Sequence, residues 1–148
     1  MELARLGLAR RGRGDVECLS CGTLKLVGEP AAPFSVQLLA ERGGDLSGHR
    51  SRAMSYFLLR EADLVVGMEQ VHRDLALEEL GGDADLVAHG IHVITEWHPD
   101  PALRNDAGIY DFVKAPLDEY REGLAELERC VESLLEEMFD PPKVRCHA

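Results

Sequence analysis

The sequence predicts an α/β fold built on a parallel sheet, from three observations. Residues 64–68 are a continuous apolar run of strand length, with the composition of a parallel strand buried on both faces, and Ile91-His92-Val93-Ile94 reads as the next buried strand. Segments of helical period separate these runs, the alternation that produces βαβ units. Residues 117–138 then carry a long apolar stripe at 3.6-residue spacing, the seam of a helix laid against a core.

Each element has its own warrant. Residues 2–11 place Leu3, Leu6 and Leu8 among alanine and arginine, a short amphipathic helix that Gly12 and Gly14 stop. With Met1 in front of it and no capping side chain, it reads as the tail of a helix. Residues 15–20 form a short strand candidate ending in the turn residues Cys21, Gly22 and Thr23. Pro33 to Arg42 is a helix with Val36, Leu39 and Ala40 inward, ended by Gly43 and Gly44. Ser55 to Glu61 is a short helix, with Ser51 or Ser55 as its cap. After the first buried run, Glu69 to Leu80 is helical and Gly81 and Gly82 close it. Residues 97–108, with Pro99, Asp100 and Pro101, form a loop. Pro116 opens the last helix, whose stripe comprises Leu117, Tyr120, Leu124, Leu127, Val131, Leu134, Leu135 and Met138. With no repeat or low-complexity linker, a single domain over 1–148 is expected, with 139–148 as a flexible tail.

Composition narrows the function classes. The 148 residues include 27 acidic and 16 basic side chains, a net charge of -11, which disfavours nucleic acid as a partner because phosphate backbones select basic faces. No apolar run approaches the roughly 20 residues of a membrane span, and no signal-peptide core opens the chain, so no membrane contact and a cytoplasmic location are expected. Cys18, Cys21, Cys130 and Cys146 are too few for a disulfide scaffold and are expected as free thiols.

Ligands of parallel sheets sit beyond the carboxyl ends of the strands. That points to Cys21–Thr23, to the segment after Met68 and to the loop after Ile94. The polar segment Gly44-Asp45-Leu46-Ser47-Gly48-His49-Arg50-Ser51-Arg52 is either a capped surface turn or a place where His49 and an arginine support an anion. A zinc site could draw on Cys18 and Cys21 with Cys146 and His147, or on His89 and His92. Such a site is disfavoured, because a CxxC on a strand points its two thiols to opposite faces and zinc needs a convergent four-ligand set. Trp97 and Phe112 either flank a substrate ring or cover core.

Five pieces in order carry a resemblance: Val16-Glu17-Cys18-Leu19-Ser20-Cys21-Gly22-Thr23, Gly28-Glu29-Pro30-Ala31, the segment 44–52, Ala62 to Met68 with His72-Arg73, and Gly108-Ile109-Tyr110-Asp111-Phe112 running into Pro116 to Arg121. They resemble the low-molecular-weight protein-tyrosine-phosphatase family, bacterial type, over roughly residues 1–138. The resemblance implies a three-layer α/β/α domain with a four-stranded parallel sheet and hydrolysis of phosphate monoesters by a cysteine nucleophile, with no cofactor or metal. It implies a phosphoprotein or small phosphate ester as substrate. Asp111 falls where the family's general acid lies, although Phe112 replaces the usual following proline. Ser20 and His49 match residues that hold the phosphate loop from behind.

The nucleophile loop itself, Cys-x5-Arg, is absent. Six positions after Cys18, Cys21 and Cys130 stand Leu24, Val27 and Glu136, and Cys146 has two residues beyond it. Met1 to Leu6 falls within the family's first helix, so one central strand and the loop, roughly 15 residues at ordinary strand length, are missing. Met1 is therefore expected to be a misassigned or truncated start, the intact gene product an enzyme, and this chain inactive and prone to associate. The alternatives are a non-catalytic binding or regulatory protein on the same scaffold and, behind it, a redox or metal module using Cys18 and Cys21. Cys130, on the C-terminal helix, is poorly placed for the disulfide relay of the family's arsenate reductase relatives.

Overall fold

A computed structural model describes residues 1–81 and 90–140 of the chain. The elements in order are α1 (Glu2–Arg10), α2 (Pro33–Ala40), α3 (Tyr56–Arg60), β1 (Val65–Gly67), α4 (Gln70–Glu79), β2 (Ile91–Val93) and α5 (Leu117–Phe139). Two 3-10 turns, Ile94–Trp97 and Pro101–Leu103, follow β2. Gly82 and His89, and Cys146, His147 and the rest of the expected tail from 141 onward, lie outside the described residues.

The strands β1 and β2 are parallel, with Val65 opposite Ile91, Val66 opposite His92 and Gly67 opposite Val93. Alternation along β1 sends neighbours to opposite faces. Leu64, Val66 and Met68 pack on a large cluster formed with α1, α2 and α5, while Val65 and Ile91 pack on a smaller one around Leu59 of α3, Ala76 of α4 and Leu80 at its C-terminal cap. The result is the α/β/α layering expected, with two paired strands among the described residues where three of the family's four were expected.

Val16–Ser20 makes no ladder, contrary to the strand expected there. A strand exists only through a paired neighbour, and the nearest pairing is the single bridge of Gly22 with Ala53. The same lack leaves β1 half-buried instead of buried on both faces.

The helices follow the sequence signals with local corrections. Ser55 caps α3, accepting from the Leu58 N–H at 3.4 Å, whereas the Ser51 hydroxyl takes the Glu29 N–H. In α2 the buried residues are Leu38 and Leu39, Val36 is half-buried and Ala40 is exposed, because the helix turns its Leu38 edge to α5. Leu38 is 0% exposed. On α5 the stripe holds from Tyr120 to Leu135, with Cys130 joining it, but Met138 is exposed near the end of the helix.

The helices α1 and α5 lie close together at Gly7, where a side-chain carbon would come 2.4 Å from Leu135 Cδ1. Arg11 fastens the same pair through Glu132 at 2.9 Å and Asp140 at 3.2 Å, and Arg10 also bonds Glu132. Phe112 and Trp97 cover core: Phe112 packs edge-on against Tyr120 (centroids 4.7 Å apart), and Trp97 lies edge-on to His92.

Candidate functional site

The segments carrying Ser20 and His49 are held together by backbone bonds. Gly22 donates to the Arg52 carbonyl at 2.8 Å and Met54 donates back to Gly22 at 2.9 Å. Further out, Gly28 donates to Ser51 and Ser51 to Glu29. These bonds fix the end of the 16–20 segment against the 45–52 loop.

That loop is internally braced as a turn. Asp45 Oδ1 accepts from the Ser47 N–H at 2.8 Å, and the His49 N–H donates to the Leu46 carbonyl at 3.0 Å. Bonding with Ser47 holds the Asp45 carboxyl below the usual aspartate range. The capped-turn reading of the segment is thus correct for its backbone.

Its side chains nonetheless face a cavity of about 400 Å³. Ser20, His49 and Asp45 line it together with Met1, Arg5, Arg50 and Arg52. Burial pushes the Met1 α-ammonium down. The Ser20 hydroxyl donates to Met1 Sδ at 3.5 Å. Arg5 reaches the Cys18 carbonyl at 3.0 Å and stands 3.8 Å from Glu2. Arg50 donates to the carbonyls of His49 at 2.6 Å and Ser47 at 3.3 Å.

Asp111 is positioned by a separate device. The Ile109 N–H donates to the Met68 carbonyl at 2.8 Å, and Gly108 bridges Glu69 in antiparallel sense. This fastens the Asp111 loop to the carboxyl end of β1, where the fold class places ligands. Asp111 is exposed, and its Oδ1 accepts from the Val113 N–H at 3.0 Å. It does not line the cavity of Ser20 and His49. Its neighbours Tyr110 and Phe112 line a second hollow, of about 260 Å³, against Glu119, Glu122 and Glu126 of α5. Among the sequence-derived site residues, then, the structure brings Ser20 and His49 together and holds Asp111 on a separate loop.

The zinc alternatives draw on His89, Cys146 and His147, which lie outside the described residues. Among the described residues no group of three or more His, Cys, Asp or Glu side chains converges on a metal position. Partial desolvation pushes the Cys21 thiol up, against the pull of Arg52, and burial followed by the charge of Glu126 does the same for Cys130. A raised thiol is a poor nucleophile and a poor ligand. His92 pairs with Glu96 at 2.7 Å. Among the described residues no helix is long and apolar enough to cross a membrane.

Arg5 lines the cavity without any sequence motif having singled it out. The signal available for Gly108 is a glycine directly ahead of the acid segment, where a close backbone approach needs one.

Comparison with known proteins agrees with this fold. The family described as "Low molecular weight phosphotyrosine protein phosphatase" matches residues 2–141. The chain is 36% identical over 61 residues to the probable low molecular weight protein-tyrosine-phosphatase EpsP of Ralstonia solanacearum, covering 41% of this chain and 42% of that one. It is 33% identical over 85 residues to the low molecular weight protein-tyrosine-phosphatase Wzb of Escherichia coli K12, covering 55% and 58%. It thus spans about half the length of the curated relatives it matches. The structure is similar to that of the low molecular weight protein tyrosine phosphatase from T. tengcongensis, with a TM-score of 0.78, 26% identity, and 93% of this chain and 87% of that chain covered. A YwlE mutant from Bacillus subtilis shares the fold at a TM-score of 0.77 and 23% identity, over 92% and 85% of the chains.

Proposed function

The chain belongs to the low molecular weight phosphotyrosine protein phosphatase family, and on that premise we propose that it is the scaffold and proton-donor portion of a phosphate monoester hydrolase. The observation that carries the reading is the cavity of about 400 Å³ on which Ser20 and His49 converge from two loops tied by backbone bonds. A Cys-x5-Arg loop seated there receives hydrogen bonds from Ser20 and His49 that fix its conformation without touching substrate.

The chemistry then runs in two steps. The loop thiolate attacks phosphorus, an S–P bond forms, the P–O bond to the leaving group breaks, and Asp111 passes its proton to the departing oxygen. Asp111 next takes a proton from water, whose oxygen bonds phosphorus as the S–P bond breaks, releasing phosphate and the thiolate. The guanidinium of the loop clamps two phosphate oxygens throughout. The substrate class is a phosphoprotein or a small phosphate ester, and a cytoplasmic setting suits a thiolate nucleophile.

None of the four cysteines has an arginine six residues on, so the 148-residue chain does not by itself carry this chemistry. That absence also favours a second reading, a binding or regulatory protein that keeps the scaffold without turnover. One experiment separates the two. The 148-residue chain is assayed on para-nitrophenyl phosphate beside a chain carrying the genomically encoded residues upstream of Met1. The hydrolase reading expects a blank from the first, and turnover from the second that is abolished by alkylating its thiols. An upstream frame without Cys-x5-Arg favours the binding reading, and turnover by the 148-residue chain that survives alkylation contradicts both.

A further inference from the structure

Thr95 and His98 are buried polar side chains just after β2, 3% and 4% exposed. His98 bonds close by, its ring accepting from the Asp100 N–H at 3.1 Å. Thr95 reaches further. It follows Val93 and Ile94, both buried and apolar, at a place where a valine would fill nearly the same space. What threonine adds is a hydroxyl, with one proton to donate and lone pairs to accept. Its Oγ1 donates to the Asn105 carbonyl at 2.8 Å and accepts from the Gly108 N–H at 3.2 Å. Among the described residues, it is the one side chain from outside residues 104–111 that bonds the main chain of that stretch. The stretch is then pressed onto β1, where the Ile109 N–H donates to the Met68 carbonyl at 2.8 Å. The side-chain fastening of Asp106 to Arg73, at 3.3 Å, is an ion pair at an exposed aspartate, a kind that holds little.

We propose that Thr95 is the positioning residue of the proton donor: its hydroxyl, holding Asn105 and Gly108 at once, sets where the Asp111 carboxyl stands. The role rests on the function proposed above and adds to it the residue that holds the acid in place. Gly108 is three residues from Asp111, roughly 10 Å of chain at full extension, so a shift at the one is carried to the other. Without the hydroxyl, the Asn105 carbonyl and the Gly108 N–H lose a buried partner, and the loop must move to find water. A proton donor works only within hydrogen-bond reach of the leaving oxygen, so a small displacement costs rate without touching substrate binding.

The test is a double-mutant cycle on para-nitrophenyl phosphate hydrolysis by the loop-bearing chain: the parent, Thr95→Val, Asp111→Asn and the two combined. Thr95→Val is expected to lower kcat about 10- to 100-fold with KM within about twofold. In the Asp111→Asn background the same change is expected to cost less than about twofold, because a residue acting through Asp111 then has nothing left to place. Thr95→Ser keeps the hydroxyl and is expected to hold kcat within about threefold of the parent. Undiminished kcat in Thr95→Val, an equal loss with and without Asp111, or Thr95→Ser as impaired as Thr95→Val would overturn the role. Hydrogen exchange decides the matter even where Thr95→Val misfolds. In the unsubstituted 148-residue chain the Gly108 amide is expected to exchange at least about tenfold more slowly than a free amide, and exchange at the free rate would overturn the tether. A blank from the loop-bearing parent overturns the function and this role with it, whereas an active parent indifferent to Thr95→Val overturns the role alone.

Discussion

Gly108 lies directly against Met68: a side-chain carbon at Gly108 would come 2.3 Å from the Met68 carbonyl oxygen and 2.4 Å from Glu69 Cα. Its φ of +89° is one that side chains rarely adopt. The loop of Asp111 is therefore clipped to the end of β1 at a point where only glycine fits. Replacing it meets both obstacles, left-handed backbone strain and a clash with main chain that cannot move aside. Gly108→Ala is expected to lower stability by about 2–3 kcal/mol, measured as a shift in urea midpoint. A neutral result would mean that the bridge to Glu69 is not held in solution.

A core substitution gives an independent gauge of the layer between α2 and α5. Leu38 is fully buried within the large cluster. Leu38→Ala removes its transfer energy and leaves a cavity, together about 2–5 kcal/mol. Met138→Ala, on an exposed position of α5, is expected to change stability by less than about 0.5 kcal/mol. Equal effects of the two would show that α5 is rotated from the orientation described.

Acid is expected to loosen the junction of α1 and α5. Partial burial raises the Glu132 carboxyl, but the bonds from Arg11 and Arg10 outweigh it and hold the group below the usual glutamate range. Asp15, gripped by Arg13, is pushed down to about 2. A carboxyl depressed in the folded state adds stability above its unfolded value, and that stability is lost as pH falls through the folded one. Urea midpoints should thus be level above about pH 5 and fall progressively below about pH 4. Glu132→Gln should flatten part of that acid limb, and solvent screening holds its contribution at neutral pH to about 1 kcal/mol. An unchanged acid limb in Glu132→Gln would dismiss the ion pair as a fastening.

The open edge of β1 carries its own expectation. Among the described residues, Val65–Gly67 has one paired neighbour, and Val16–Ser20 pairs with nothing along its length. Exposed strand edges of this kind recruit other chains. The 148-residue chain is expected to elute from size exclusion as associated species in proportion to concentration. A monodisperse monomer with a cooperative melt would contradict this.

Much of this fold can be read in the sequence, because periodicity reports burial directly. The long stripe of α5, the Ser55 cap and the two apolar runs that become β1 and β2 all stand where their residue patterns put them. What could not be read depends on partners. Val16–Ser20 has the composition of a strand, but composition does not supply a neighbour to bond with. The inward edge of α2 turns on which neighbour it meets, so Leu38 displaces Ala40. In the candidate site, Ser20 and His49 are picked out by the resemblance alone, and the cavity they line follows from backbone bonds between Gly22, Arg52 and Met54 that no local pattern encodes.

Everything said of the chemistry depends on Asp111 donating and recovering the proton in a phosphatase whose nucleophile loop seats between Ser20 and His49. The decisive quantity is the rate of para-nitrophenyl phosphate hydrolysis in a loop-bearing form of this chain, with Asp111 and with Asp111→Asn. In the asparagine form kcat is expected to drop about 10²- to 10⁴-fold, with both proteins equally stable. Equal turnover by the two, or none from a folded loop-bearing chain, would refute that role.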